Sequence, residues 1–302
     1  MTLSTLASTS GTRWAALVAT SLVLTSCRDG SARKFVAVPL GLGAEMHLRV
    51  PGAGNAAPSI VGDWPFAVVA WTATTPEDSV VYVAMSVDNG ASFSSPRPIE
   101  ASRTRTKADA ALVPRVVFGW QKAGANYEPL MPDVHIVWRI GTERGAAVRS
   151  VKSTDAGRSF IDEAMDHERP VDLPLQSQRA PSPEQLSLAV ADVTSAQPRG
   201  TFDDCGTLLV VWDEAGAGTP RVAMRRLLEG PKDVFHALQT VTVGSQPSAS
   251  RPDVASLLGG VIVAWTSGVA QESAITLRRV GLESICQPQV ATSGRASDAA
   301  TP

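Results

Sequence analysis

Tyrosine is nearly absent: Tyr82 and Tyr127 are the two in 302 residues, and aromatic residues make up 5% of the chain. A tyrosine nucleophile has few places to be, and stacked sugar subsites should be sparse. Cysteine is also scarce, at Cys27, Cys205 and Cys286. No Cys-x-x-Cys or His-x-x-x-His spacing occurs, and His47, His135, His167 and His236 are far apart, so no zinc site is expected. No glycine-rich phosphate loop is present either, and neither metal nor cofactor is expected. Lysine is rare, 5 against 22 arginines, and the net charge is -2. That balance argues against a polybasic nucleic-acid partner. The mostly apolar run Trp14–Leu24 has 11 residues, too few for a bilayer of about 30 Å. What is abundant is apolar matter: 44% hydrophobic against 19% charged, enough for a large core.

The N-terminus is set aside from the fold as a targeting segment. Arg13 precedes the apolar run, which ends Leu24-Thr25-Ser26-Cys27. This order resembles the bacterial lipobox. The resemblance implies a signal peptide over 1–26, a lipidated Cys27 and a membrane partner reached through that anchor. The chain is thus expected in a bacterial cell envelope, facing periplasm or surface, with the outer membrane favoured because Arg28 follows the cysteine. With Cys27 lipidated, Cys205 and Cys286 remain as an even pair in an oxidising compartment, and a disulfide between them is expected.

Four apolar runs end in tryptophan: Phe66–Trp71, Val134–Trp138, Leu208–Trp212 and Val261–Trp265, at Trp spacings of 67, 74 and 53. Apolar on both faces, they read as strands covered on both sides. Each sits in a four-strand unit. Opening strands are expected at Ala57–Val61, Val113–Val117, Leu186–Val193 and Arg251–Ala255. Third strands are expected at Val80–Ser86, Ala147–Ser153, Pro220–Arg226 and Ala274–Val280. Fourth strands are expected at Ser94–Ile99, Ile161–Met165, Ala237–Val243 and Gln287–Val290. One helical period, Pro181–Leu188, is short. The fold class is therefore all-β: a β-propeller of four-stranded antiparallel blades over 51–295, four blades recognised, with five or six left open. Residues 27–50 form a tether with two short strand-like runs, which either complete a fifth blade or pair with the last blade to close the ring. Residues 296–302 are expected to be a disordered tail.

Two turns repeat Ser-x-Asp-x-Gly-x-x-Phe: Ser86, Asp88, Gly90, Phe93 and Ser153, Asp155, Gly157, Phe160. Each Asp lies 17 residues after a strand-end Trp. The pattern resembles the Asp-box, or bacterial neuraminidase repeat, of sialidase-like propellers. Its hydroxyl and carboxylate suit local backbone bonds and its glycine suits positive φ, so all eight residues are read as structural. The resemblance implies, for a working sialidase, three arginines on a carboxylate, an acid/base Asp and a late Tyr paired with Glu. Leu48-Arg49-Val50-Pro51 is similar to one clamp element, and Arg251-Pro252 is the blade-opening Arg-Pro. No tyrosine follows Tyr127, so no catalytic residue is assigned and the reading leans away from an enzyme. Asp203, Asp204 and Glu214 are carboxylates that another glycosidase chemistry could use. Candidate ligand-face residues are Arg169 and Arg179, within the long proline-rich connection 167–184, and Arg251. Trp64, Trp120 and Tyr127 fall on the opposite, Asp-box face. The functional expectation is a lipid-anchored, non-catalytic binding or scaffolding module for an unknown envelope protein or glycan. The alternative is an exo-acting glycosidase of sialidase type.

Overall fold

The computed structural model describes residues 41–104, 113–119, 132–142, 145–163, 181–190, 198–203, 207–214, 219–229, 235–246 and 248–282. They form a four-bladed β-propeller. Blade 1 is β2 (Gly54–Asp63), β3 (Phe66–Thr74), β4 (Ser79–Ser86) and β5 (Arg97–Thr104). Blade 2 is β6 (Arg115–Gly119), β7 (Asp133–Thr142), β8 (Gly145–Ser153) and β9 (Ile161–Glu163). Blade 3 is β10 (Arg199–Phe202), β11 (Leu208–Glu214), β12 (Arg221–Glu229) and β13 (Phe235–Gly244). Blade 4 is β14 (Ser250–Leu257), β15 (Gly260–Ser267), β16 (Ala274–Gly281) and, as its outer strand, the N-terminal β1 (Gly41–Leu48).

The last blade is completed from the other end of the chain. β1 runs antiparallel to β16, from Gly41 opposite Gly281 to Leu48 opposite Ile275. The outer position expected for Gln287–Val290 is taken by β1, and 287–290 lie outside the described residues. The ring therefore closes as four blades, not five or six. Of the two roles open to the strand-like runs before residue 50, pairing with the last blade to close the ring is the one observed, and it joins segments more than 200 residues apart.

The second strand of each blade carries the core because alternate side chains serve opposite neighbours. In β3, Val68 and Ala70 pack towards blade 2, while Ala67, Val69 and Trp71 pack towards blade 4. In β15, Val261, Val263 and Trp265 meet blade 3, and Ile262 and Ala264 meet blade 1. Trp71, Trp138 and Trp265 thus each face the preceding blade, fully buried. Replacing any one by Ala should cost about 3–5 kcal/mol through the cavity left.

Blade 3 departs from this rule. The same face of β11, with Leu208, Val210 and Trp212, is covered by Leu186, Ala189 and Val190 of α1 (Pro183–Ala189) and the residue after it. The reading of Leu186–Val193 as the opening strand of blade 3 is therefore corrected. The helix starts with a capping box: Ser182 Oγ accepts the Gln185 N–H (3.2 Å), and Gln185 Oε1 accepts the Ser182 N–H (2.9 Å). Pro183 stands at the first helical position, where its missing N–H costs nothing. The true inner strand is β10, and Gly200 admits Leu186 so closely that a Cβ would lie 2.7 Å from its Cδ2.

Candidate functional site

The four inner strands share one register. Ser59 pairs with Ala70, Arg115 with Val137, Arg199 with Val211 and Asp253 with Ala264, each partner being the residue before the strand-end Trp. These four side chains therefore stand at equivalent positions around the axis, one per blade. Each follows a proline: Pro58, Pro114, Pro198 and Pro252. Proline suits an innermost strand, which has no further strand to receive its N–H. The ring lies near the start of the inner strands, on the face of the second-to-third strand turns and blade connections.

Inner strands leave backbone N–H groups unpaired on one edge, and buried N–H groups need acceptors. Ring side chains supply them. Val116 N–H donates to Ser59 Oγ (3.3 Å), and Ile60 N–H donates to Asp253 Oδ2 (3.0 Å). In both cases the residue after the ring position donates to the ring residue of the preceding blade. Arginine has no acceptor, so Arg115 and Arg199 break the pattern. Val254 N–H, whose cyclic partner would be Arg199, uses its own Asp253 Oδ1 instead (3.1 Å). Half of the ring is sealed by hydrogen bonds. The other half presents two guanidinium groups.

A second belt lies one step nearer the mouth. Ala57 and Arg251, each preceding its proline, hold positive φ of 56° and 51°. Their N–H groups are gripped by the residue after the Trp of the preceding blade: Ala57 N–H by Thr266 Oγ1 (3.2 Å) and Arg251 N–H by Asp213 Oδ2 (3.4 Å). Asp213 Oδ1 is buried and accepts no hydrogen bond among the described residues.

Asp253 is the chemically unusual member. It is 8% exposed and comes from blade 4, yet Arg115 Nη1 from the opposite blade approaches its Oδ2 to 3.8 Å. Burial pushes its carboxyl above the ordinary carboxylate range. Arg115, the Ile60 N–H, Arg199 and the Val254 N–H pull the other way and do not overcome burial. Burial, then repulsion from Arg115, holds the Arg199 guanidinium below its usual value, against the attraction of Asp253. The cluster thus combines a carboxyl disposed to keep its proton with two arginines able to hold an anionic or hydroxyl-rich group. Among the described residues no group of three or more His, Cys, Asp or Glu gathers to bind a metal.

The structure distributes the sequence candidates unevenly. Arg251 is exposed, and its backbone, not its guanidinium, is the part tied into the site. Arg169, Arg179, Cys27, Cys205 and Cys286 lie outside the described residues, as do Trp120 and Tyr127. The two Ser-x-Asp turns sit at the far end. Ser86 Oγ accepts the Gly90 N–H (2.8 Å) and donates to Asp88 Oδ1 (2.7 Å), which accepts the Ser92 N–H (2.9 Å). Ser153, Asp155, Gly157 and Ser159 repeat those bonds at 2.6–2.8 Å. Gly90 and Gly157 take φ of 76° and 83°, and Phe93 and Phe160 pack on the core. The ring residues Ser59, Arg115, Arg199 and Asp253 went unremarked in the sequence. The signal available was the Pro-x pair at a constant register from each Trp, hidden in blade 3 by the misplaced opening strand.

No protein-family model matches the chain, and no curated protein matches it. Solved structures do. A GH43_1 enzyme from Xanthomonas citri aligns over 78% of this chain and 91% of its own, at 9% identity and a TM-score of 0.41. An α-L-arabinofuranosidase from Podospora anserina in complex with cellotriose aligns over 82% and 99%, at 7% identity and a TM-score of 0.42. An endo-arabinase from Bacteroides thetaiotaomicron aligns over 78% and 98%, at 10% identity and a TM-score of 0.40. These neighbours are glycoside hydrolases, not sialidases, and they transfer no residue role to this chain. The expectation of a non-catalytic binding or scaffolding module is corrected on that finding, the neighbours being glycoside hydrolases.

Proposed function

We propose that the protein is a glycoside hydrolase whose proton donor is Asp253. The observation that carries this reading is a buried carboxyl, raised above its ordinary range, at the axial ring on the ligand-side face. Burial disposes this carboxyl to keep its proton beyond the ordinary carboxylate range, the direction that protonation of a glycosidic oxygen requires. In the reaction, Asp253 gives its proton to the leaving oxygen as the C–O bond breaks. Asp213, whose Oδ1 accepts no hydrogen bond among the described residues, takes the proton of the attacking water. Arg115 and Arg199 hold the polar or anionic substituents of the sugar.

The chain acts from a membrane anchor in the cell envelope, with Cys27 lipidated. Cys27→Ser should abolish labelling by a palmitate analogue; equal labelling of both forms overturns the anchor. For the chemistry, the full chain is assayed on aryl arabinofuranosides, xylosides, glucuronides and sialosides. Turnover should fall about 100-fold or more in Asp253→Asn, with an unchanged fold by circular dichroism. Absence of turnover on every glycoside by the wild-type chain, or full activity in Asp253→Asn, overturns the reading.

A further inference from the structure

We propose that the turn face opposite the ring seats on a lipid surface, through Leu42, Trp64, Val87 and Leu258 on blades 4 and 1. Eight large hydrophobic side chains are exposed among the described residues. Strand direction divides them unequally. Inner strands run from the ring towards the first-to-second turns, and third strands run the same way towards the third-to-fourth turns. Trp64 and Leu258 stand in first-to-second turns and Val87 in a third-to-fourth turn. Leu42 pairs with Val280 and Ile161 opens β9, so both lie at that end too. Five of the eight are thus on this face, with Trp64 58%, Val87 58% and Leu258 53% exposed.

Four of them form one patch. Asn89 stitches the turns together, its N–H donating to Pro65 O (2.8 Å) and its Nδ2 to Leu258 O (3.0 Å). Arg279, on the strand beside Leu42, donates to the same Leu258 carbonyl (3.2 Å). These bonds tie the turns of blades 4 and 1 together, with Arg279 and the carboxylates of Asp63 and Asp88 beside them. Asp88 is already committed to its own turn. Single exposed apolar residues are ordinary; an ordered cluster of them marks an interaction surface.

The occupant follows from where the chain enters. Gly41, the first residue of β1, lies at this same end because it pairs with Gly281. Thirteen residues separate it from Cys27, a contour of at most about 45 Å. The chain from a lipid on Cys27 would thus enter the propeller through this face, and the ring lies at the opposite end of the strands. This inference rests on the lipid anchor proposed above, and not on the hydrolase chemistry. Tryptophan with leucine and valine beside arginine is a composition suited to the headgroup boundary.

The test uses the full chain, extracted from the envelope of a bacterial host and reconstituted in phosphatidylethanolamine–phosphatidylglycerol vesicles with or without brominated acyl chains. The wild-type protein is the parent, since Trp14 belongs to the signal peptide that precedes Cys27. Bromolipid should quench the parent's emission, and Trp64→Phe should remove most of that quenching. Val87→Glu/Leu258→Glu should reduce it equally, while flotation and thermal midpoint stay unchanged. Flotation with the same quenching in the parent and in Trp64→Phe overturns the docking and leaves the anchor standing. Absence of flotation overturns both. A dimer in detergent that Leu258→Glu dissociates, without Trp64 quenching, assigns the patch to a second copy and overturns the proposal.

Discussion

Asp253 has two separable duties, and three variants pull them apart. Its carboxylate oxygens accept two backbone N–H groups, from Ile60 at 3.0 Å and Val254 at 3.1 Å. Asp253→Ala strands both in a buried place, at about 1–3 kcal/mol each, so roughly 2–6 kcal/mol in all. At about 2–4 °C per kcal/mol for a domain of this order, the midpoint should drop by roughly 4–24 °C. Asp253→Asn keeps one acceptor and carries no charge. Asp253→Glu keeps the charge but overfills the ring. The pH dependence then identifies the buried charge. The folded carboxyl titrates above its unfolded value. Its neutral form is therefore favoured by folding, and the associated stability is full below about pH 4, the unfolded value. It declines as pH rises through the folded value. Asn does not titrate, so the difference in unfolding free energy between Asp253→Asn and wild type should move in favour of Asn as pH rises. Urea melts at pH 4 and pH 8 measure it. Parallel pH profiles for wild type and Asp253→Asn would show that Asp253 is not a buried, proton-retaining acid, and the hydrolytic reading would lose its donor.

Replacing Asp88 or Asp155 by Ala should cost about 1–3 kcal/mol through lost turn acceptors, without changing turnover at the far face. Hydrogen bonds hold both carboxyls down at about 2, with Ser92 the largest cause at Asp88 and Ser159 the largest lowering one, opposing burial, at Asp155. The stability tied to their ionised form is present above about pH 4 and lost as pH falls through about 2. Both turns are solvent-facing, so this acid component should be small in melts, and a large one would contradict the assignment. Asn55 is fully buried: its Oδ1 accepts from Val50 N and Trp71 Nε1, and its Nδ2 donates to the Val50, Ala53 and Ser273 carbonyls. Asn55→Asp turns that donor into an acceptor facing three carbonyls, and urea unfolding should register a loss of about 3 kcal/mol or more. At Gly244 a Cβ would sit 2.5 Å from Trp265 Cζ2. Gly244→Ala should therefore destabilise by about 1–3 kcal/mol, and an unshifted midpoint would show that the two blades part more easily than their packing implies.

The tryptophan-ended runs were legible in the sequence because a strand buried on both faces must be apolar at every position, as Val68, Val69, Ala70 and Trp71 are. The two Ser-x-Asp-x-Gly turns were legible because their bonds close within seven residues. Helix α1 half announced itself through Ser182-Pro183-Glu184-Gln185, yet its apolar continuation was also read as a strand. The real strand, Arg199–Phe202, has four residues and little apolar signal. Blade closure by β1 depended on a partner more than 200 residues away, and register between such segments follows from packing rather than from either sequence alone. The axial ring belongs wholly to that second category. Pro-Ser, Pro-Arg, Pro-Arg and Pro-Asp are unremarkable pairs in isolation. Only when four blades set them at one level around an axis does the Asp253 carboxyl lose its water, stand across from Arg115 and shift towards its protonated form.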